Sequence, residues 1–456
     1  MQHPVSPSDD VTPLGPATST RYAWAVVGML WFICFFNYAD RQAIAAVLPV
    51  LGKEFDFSLT QQGLIASSFM WVYALSAPIA GGIGDRTSRK KLILGGLFVW
   101  SIITGFTAGC SRLWQFVFVR GAEGLGETFY FPASMSLVSD YHSKRTRSRA
   151  MSLHQTSVYA GTVGGAWFAG WMTMAYGNWR YPFIVLGVSG VILGLLLAYF
   201  IREPERNEAE RRENGELRLK VSAAENITGT VGAPAKSWAT SAIETFSDVL
   251  KFGGELLHNP PALLLVIAFC GANFVAFVFI TWMPSFLRQK YQLDLASAGF
   301  SATIYMQAAS MVGALFGGWL ADQWGQYRAG GRSLVQAVGV VCGAPFIYWC
   351  GVTPELNTVL LAMTCFGFAK GIYDSNIWAS LYDVVPAESR GKAVGFTNMI
   401  GWIGAGVGAT AFGVVVDRGF TMSQTLSSTV VIYIGIAGLL VLSSILTARR
   451  AASVRL

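Results

Sequence analysis

Arg120 and Glu127 stand seven residues apart in an apolar run, with Glu123 between them. Seven residues at about 100° each make almost two turns of helix, so all three share one face. Asp40 and Arg41 lie side by side in a second run, from Tyr22 to Leu51, and Lys370 and Asp374 lie one turn apart in a third, from Leu356 to Val384. Lipid cannot solvate an ionised group, so such a residue faces a cavity or a partner and marks the pathway of an ion or a substrate. Two kinds of chemistry fit these residue types. A guanidinium holds a carboxylate through two parallel hydrogen bonds, and a carboxyl group shielded from water can carry a proton.

Neighbouring residues on a helix point in different directions, so Asp40 and Arg41 do not simply cancel. Asp40 is expected to meet Arg120 or another helix, which leaves Arg41 to bind an anion. Glu127 is the candidate proton carrier, with Asp40, Arg120, Glu123 and Asp374 as the other members of the coupling set. Lys370 is either a second positive group for the substrate or the partner of Glu127. The simpler alternatives are an ion pair between Lys370 and Asp374 and a packing pair between Arg120 and Glu123. Tyr38, Tyr73, Tyr130, His154, Gln155, Tyr159, Asn273, Tyr305, Tyr373, Asn398 and Trp402 fill out a candidate pocket. Any one of them serves as readily in a helix–helix hydrogen bond. His154 can titrate near neutrality, but it stands close to the basic stretch 142–149 and can simply line the mouth of a pathway.

The elements that must position these residues are membrane helices. The chain has 456 residues, 53% of them hydrophobic and 13% charged, with a mean hydropathy of +0.46, well outside the composition of a soluble domain. Apolar runs of spanning length fall near 22–51, 62–84, 91–110, 113–138, 149–174, 181–201, 261–287, 298–321, 333–352, 356–384, 393–416 and 427–448, twelve in all. The polar first 20 residues lack the basic start and short apolar core of a secretory signal, so no cleavage is expected. If the N-terminus is cytoplasmic, 24 of the 33 basic residues fall on the cytoplasmic side and six on the other. The positive-inside rule therefore predicts that both termini are cytoplasmic, and the net charge of +7 anchors topology and contacts anionic lipid rather than nucleic acid. Cys34, Cys110, Cys270, Cys342, Cys350 and Cys365 have neither metal nor disulfide spacing and are read as small core residues.

Between Arg202 and Pro260 the apolar runs stop. The expected organisation is an N-terminal tail (1–21), a six-helix bundle (22–201), a cytoplasmic loop (202–260), a second six-helix bundle (261–448) and a short tail (449–456). The charged stretch 202–220 forms either an amphipathic helix on the membrane surface or a solvated tether. The halves repeat, as transporter halves do. Gly81-Gly82-Ile83-Gly84-Asp85 recurs as Gly317-Gly318-Trp319-Leu320-Ala321-Asp322, and a shift of 243 superposes Gly124 on Gly367, Tyr130 on Tyr373, Asp140 on Asp383 and Arg147 on Arg390. In that register Glu127 falls opposite Lys370. Glycines 161, 164, 165 and 170, and 401, 404, 406 and 408, allow close helix packing and rocking between bundles.

The stretch Gly81 to Lys91 resembles the signature between helices two and three of the major facilitator superfamily, with Ser88 in place of the usual second glycine. The resemblance implies an all-α fold of twelve transmembrane helices in two pseudo-symmetric bundles, gated at the cytoplasmic side by Asp85, Arg86, Arg89 and Asp322. Asn37-Tyr38-Ala39-Asp40-Arg41, the Arg120 to Glu127 run and Phe131-Pro132-Ala133 resemble the anion:cation symporters, and they also look like the spinster-type lipid transporters. The first likeness implies proton-coupled symport of a small organic anion such as a sugar acid or aromatic acid, with Arg41, Tyr73, Tyr130, Gln155, Tyr159, Lys370, Tyr373 and Asn398 at the substrate. The second implies a lysolipid or other amphiphile. Antiporters of the superfamily often carry Gly-Pro on helix five; Gly164-Gly165-Ala166 has no proline, which favours symport. A membrane enzyme or receptor is disfavoured by short outer loops and by the lack of a phosphate-binding loop, metal-ligand spacing or nucleophile elbow. No cofactor or metal is expected. The expected partners are the anion, protons and membrane lipids, around a monomer in a bacterial inner membrane.

Overall fold

The computed structural model describes residues 11–12, 19–84, 87–204, 208–209, 218–219, 238–386 and 389–453. Its first half contains α1 (Thr20–Phe55), α2 (Leu59–Gly84), α3 (Arg89–Thr107), α4 (Leu113–Glu127), α5 (Tyr130–Tyr141), α6 (Lys144–Tyr176) and α7 (Arg180–Phe200). After α8 (Trp238–Leu256) the second half runs through α9 (Pro260–Tyr291), α10 (Leu295–Tyr327), α11 (Gly331–Val352), α12 (Leu356–Asp374), α13 (Ile377–Tyr382), α14 (Arg390–Asp417) and α15 (Met422–Ser453). A two-residue extended pair, Val11–Thr12 with Arg218–Leu219, is the one β-pairing among the described residues.

Among the described residues, ten helical stretches are long and apolar enough to cross a membrane. The other two crossings are explained by their sequences. The fourth is broken after Glu127 into α4 and α5, and the stretch of α6 from Ser157 to Met174 is diluted by glycine, tryptophan and threonine. The fourth crossing of the second half is also interrupted, after Asp374, so each half ends its fourth helix on an acid. Each half also ends its first helix on a non-glycine residue in the left-handed region, Asp56 at φ 54° and Gln292 at φ 55°.

Local chemistry sets the ends. Ser19 caps α1 by accepting from the Tyr22 amide at 3.2 Å, Asp294 caps α10 by accepting from Ser297 at 2.9 Å, and two prolines open α9, where missing amide protons cost nothing. Ser88 is the N-cap of α3, bonded by the Lys91 amide, and Glu203 accepts from the Ser88 hydroxyl and from the Arg89 and Lys90 amides. The serine that departs from the signature thus replaces a flexible glycine with a helix cap.

Each half has its own core: Leu30, Trp100, Tyr130 and Phe183 in the first, and Trp282, Phe286, Phe366 and Tyr433 in the second. Phe118, Leu195, Leu315 and Val431 point outward, where lipid would cover them. The halves meet along α2 with α14 and α6 with α10, mostly toward the face opposite the chain ends. There a side chain at Gly63 would collide with the Ala409 backbone, and one at Gly170 with Leu295. Asp417 accepts from the Leu59 and Thr60 amides at 3.1 and 2.7 Å, so the end of α14 caps the start of α2 in the other half. On the terminal face α8 packs against both α2 and α14, with Phe252 against Phe396. The amphipathic helix of the linker is therefore 238–256; most of 202–220 lies outside the described residues.

The repeat read from the sequence recurs in the contacts. Arg89 pairs with Asp140 at 2.5 Å and Arg332 with Asp383 at 2.7 Å, arginine and aspartate both moved by 243 residues. Among the cysteines, Cys34, Cys110 and Cys350 are buried, whereas Cys342 is exposed and corrects its reading as a core residue.

Candidate functional site

Helix packing brings the charged residues together. A Cβ at Gly161 would sit 2.5 Å from the Phe35 carbonyl oxygen and one at Gly165 2.4 Å from the Ala39 backbone, so α6 lies directly against α1 beside Asp40 and Arg41. Gly124 does the same for α4 against Phe69 of α2. These contacts set α6 on α1 and α4 on α2, and α1 meets α4 through the Arg41–Glu127 pair.

The pairing differs from the expected one. Arg41 Nε donates to Glu127 and Arg120 donates to Glu123; all but Arg41 are almost fully shielded from solvent. Asp40 is therefore not coupled through an Arg120 ion pair. It is 1% exposed, and neither carboxylate oxygen makes a hydrogen bond among the described residues. Glu123, Glu127 and Arg120 are its charged neighbours, and the Thr104 hydroxyl lies beside it. The reason is geometric: Glu123 stands three residues along the same helix as Arg120, within its reach without any partner on α1.

Aromatic rings enclose Arg41. Its guanidinium carbon lies 4.6 Å from the Tyr38 ring centre, 4.9 Å from those of Phe69 and Tyr73, and 5.7 Å from that of Trp402. Such contacts hold a cation without consuming its hydrogen-bond donors, and Nη1 has no partner among the described residues. Trp402 belongs to α14, so the second half closes over a cation of the first.

Arg41, Tyr38, Tyr159 and Trp402 line a cavity of about 120 Å³ between the halves, together with Gln42, Gln307 and Thr281, which sequence reasoning missed. Gln42 was readable as the next residue on the Tyr38–Arg41 face; Gln307, on α10, carries no local signal. Gln42 also donates to the Ile280 carbonyl at 3.1 Å, across the two halves. A second cavity of about 170 Å³ is lined by Asn273, Lys370, Tyr373 and Asp374, and it shares Phe277 and Ile280 with the first. Lys370 pairs with Asp374 one turn on, not with Glu127. Tyr159 feels the charges of both, so it stands where the two cavities adjoin.

Other expected pocket residues sit elsewhere. Tyr130 is fully buried, its hydroxyl donating to the Leu30 carbonyl and lying 2.9 Å from His154 Nε2, which makes both of them packing residues of the first half rather than cavity walls. Gln155 and Asn398 are half-buried and line neither cavity. Tyr305 is exposed. Of the gating residues, Arg89 is engaged with Asp140, Asp322 is mostly exposed at 3.8 Å from Arg332, and Asp85 and Arg86 lie outside the described residues. No cluster of potential metal ligands occurs among the described residues.

Two six-crossing bundles enclosing a charged cavity at their interface define a membrane transporter, not an enzyme. The chain belongs to the Major Facilitator Superfamily, which it matches over residues 30–409. It is 26% identical over 440 residues to a probable galactarate/D-glucarate transporter of Escherichia coli strain K12, covering 94% of this chain and 93% of that one. It is 27% identical over 380 residues to spinster homolog 1 of Xenopus tropicalis, covering 80% of this chain and 67% of the relative. Among solved structures, a bacterial homologue of the human lysosomal transporter Spinster, inward-facing and unoccupied, superposes with a TM-score of 0.76 at 19% identity over 95% of this chain and 99% of that one. That likeness establishes the fold.

Proposed function

We propose that this protein moves a small organic anion together with a proton by alternating access. One observation carries the reading. Arg41 and Arg120 line the central cavity, and behind them lie three buried carboxyl groups, Asp40, Glu123 and Glu127, with both guanidiniums already engaged by glutamates. The cluster is one negative charge in excess when all are ionised. A buried, unpartnered charge is costly, so a proton on Asp40 balances the set. An arriving substrate carboxylate competes with Glu127 for Arg41, and the displaced glutamate then takes a proton in turn. Lys370 supplies positive potential from the second half.

The chain ends face the cytoplasm of a bacterial inner membrane in this reading, so the closed contacts around Gly63, Gly170 and Asp417 form the outer gate. The Arg89–Asp140 and Arg332–Asp383 pairs belong to the inner one. The bundles are 22–201 and 261–448, joined by the loop 202–260, and the protein works as a monomer. The named substrates of the E. coli relative, galactarate and D-glucarate, make sugar acids the first candidates. The two adjoining cavities, about 120 and 170 Å³, are each below the ~300 Å³ of an ordinary ligand pocket. They must merge even for a sugar acid, which weighs against a lysolipid.

The test is uptake of D-glucarate into proteoliposomes under an inward proton gradient. Accumulation that collapses with the gradient is the expected result, and in Glu127→Gln it should be lost. Full gradient-driven accumulation by Glu127→Gln would remove the coupling role; uptake of lysophosphatidylcholine in place of any carboxylate would make this a lipid carrier.

A further inference from the structure

On the face opposite the chain ends, a cavity of about 900 Å³ opens between the halves, separate from the central one. Its wall includes Lys53 and Gln62 from the first half and Ser285, Arg288, Gln289 and Asp294 from the second. Two of these groups are unsatisfied. Arg288 Nη1 and the Ser285 hydroxyl oxygen are both inaccessible to solvent, yet neither has a hydrogen-bond partner among the described residues, and Ser285 as a whole is 6% exposed. Asp294 is committed to capping α10 through Ser297. Against it stand Lys53 and Arg288, so the wall carries one net positive charge.

The cavity continues the line of the central site. On α1, Gln42 and Ala45 line the central cavity and Pro49 and Gly52 line this one; steps of three and four residues keep them on one face. On α9, Phe277 and Thr281 line the central cavity, and Ser285 and Arg288 follow in the outer one at the same spacing. The same two helix faces thus run from Arg41 to the far mouth.

We propose that Arg288 and Ser285 form a second anion-binding station at that mouth, where a carboxylate is caught by guanidinium and hydroxyl donors, with Lys53 and the Gln289 amide beside it, before or after it occupies the central site. An orphaned guanidinium nitrogen and an orphaned hydroxyl three residues apart on one helix, both in the wall of the same cavity, are the donor set a carboxylate satisfies. The station's role in transport rests on the anion reading above; its existence as a binding site does not.

The experiment reads binding apart from transport. In full-length protein with Cys342→Ser, the thiol introduced by Met174→Cys, in the wall of the same cavity, is labelled with an impermeant maleimide, with and without D-glucarate, D-gluconate or benzoate, at ionic strength matched with sodium chloride. At least one carboxylate should slow labelling several-fold. That protection should persist when the central anchor is removed by Arg41→Gln and vanish in Arg288→Gln. Protection that survives Arg288→Gln, that needs Arg41, or that no carboxylate produces overturns the station. In proteoliposomes Arg288→Gln should raise KM with little change in the proton dependence of uptake; wild-type uptake with an unchanged KM in the variant overturns the station and leaves anion transport standing. Protection without uptake of any carboxylate retains the site and overturns the transport reading instead.

Discussion

The Arg41 guanidinium of α1 is engaged by the Glu127 carboxylate at the end of α4 while lying over the Tyr38, Phe69 and Tyr73 rings. Charge alone does not reproduce this arrangement. Lysine lacks the planar fork that meets a carboxylate with two bonds. Arg41→Lys should leave the fold intact by size exclusion and thermal midpoint, yet raise the apparent KM for the transported anion about tenfold or more, equivalent to about 1.4 kcal/mol. An unchanged KM would mean that Arg41 is a structural cation.

Asp40 and Glu123 should answer to removal of charge in opposite ways. Asp40→Asn takes nothing from a partner, because its oxygens have none among the described residues, so thermal stability should hold or rise. Proton-driven accumulation should fail while anion exchange between preloaded vesicles continues. Glu123→Gln strands Arg120, and breaking such a buried pair typically costs about 3–5 kcal/mol. A marked loss of thermal stability in Asp40→Asn would show that its carboxylate is ionised and paired.

Gly165 tests the closeness of α6 and α1. A Cβ there meets the Ala39 backbone at 2.4 Å, and a backbone cannot swing aside as a side chain does. Gly165→Val should push the helices apart, disturb the neighbouring Asp40 and Arg41, and lower expression or thermal midpoint by an amount typical of overpacking, about 1–3 kcal/mol. Gly28, with nothing within 4 Å of a built Cβ, is the control: Gly28→Ala should be close to neutral.

The two repeat-related ion pairs should differ in weight. Arg89–Asp140 is buried, with side chains 4% and 5% exposed, whereas Arg332–Asp383 is 32% and 35% exposed. Asp140→Asn should therefore destabilise by several kcal/mol, about 3–5 for a buried pair, and Asp383→Asn by about 1 kcal/mol or less. Thermal unfolding of the two variants side by side checks the ranking.

Asp417 ties the halves together on the far face through the Leu59 and Thr60 amides. Losing such a cap is worth about 1 kcal/mol. Asp417→Ala should shift the conformational balance away from the far-closed state about fivefold. The readout is faster labelling of thiols placed along the Gly63–Ala409 contact; unchanged labelling would assign Asp417 to helix capping alone.

The apolar runs of the sequence count twelve crossings, because spanning a bilayer demands such runs, and the repeat was legible because Gly124, Tyr130, Asp140 and Arg147 recur 243 residues on. The charged members of the site were legible for a related reason: a charge in an apolar run has few innocent explanations. Tyr130 and His154 stayed open between cavity and packing because a polar residue in a membrane helix looks the same whether it faces a cavity or another helix; the structure bonds them to each other inside the first half. Gln307 and Arg288 escaped notice because what distinguishes them is what stands opposite, on helices far away in sequence.

By itself, then, the sequence determined the class of fold, the repeat and which charged residues lie inside apolar runs, since these follow from desolvation cost and helical period, both local properties of the chain. Only the tertiary structure decided who pairs with whom. Pairing depends on how closely Gly165, Gly161 and Gly124 let backbones approach and on which acid then stands within reach of each guanidinium. That is how Arg120 came to hold Glu123, Arg41 to hold Glu127, and Asp40 to be left without either.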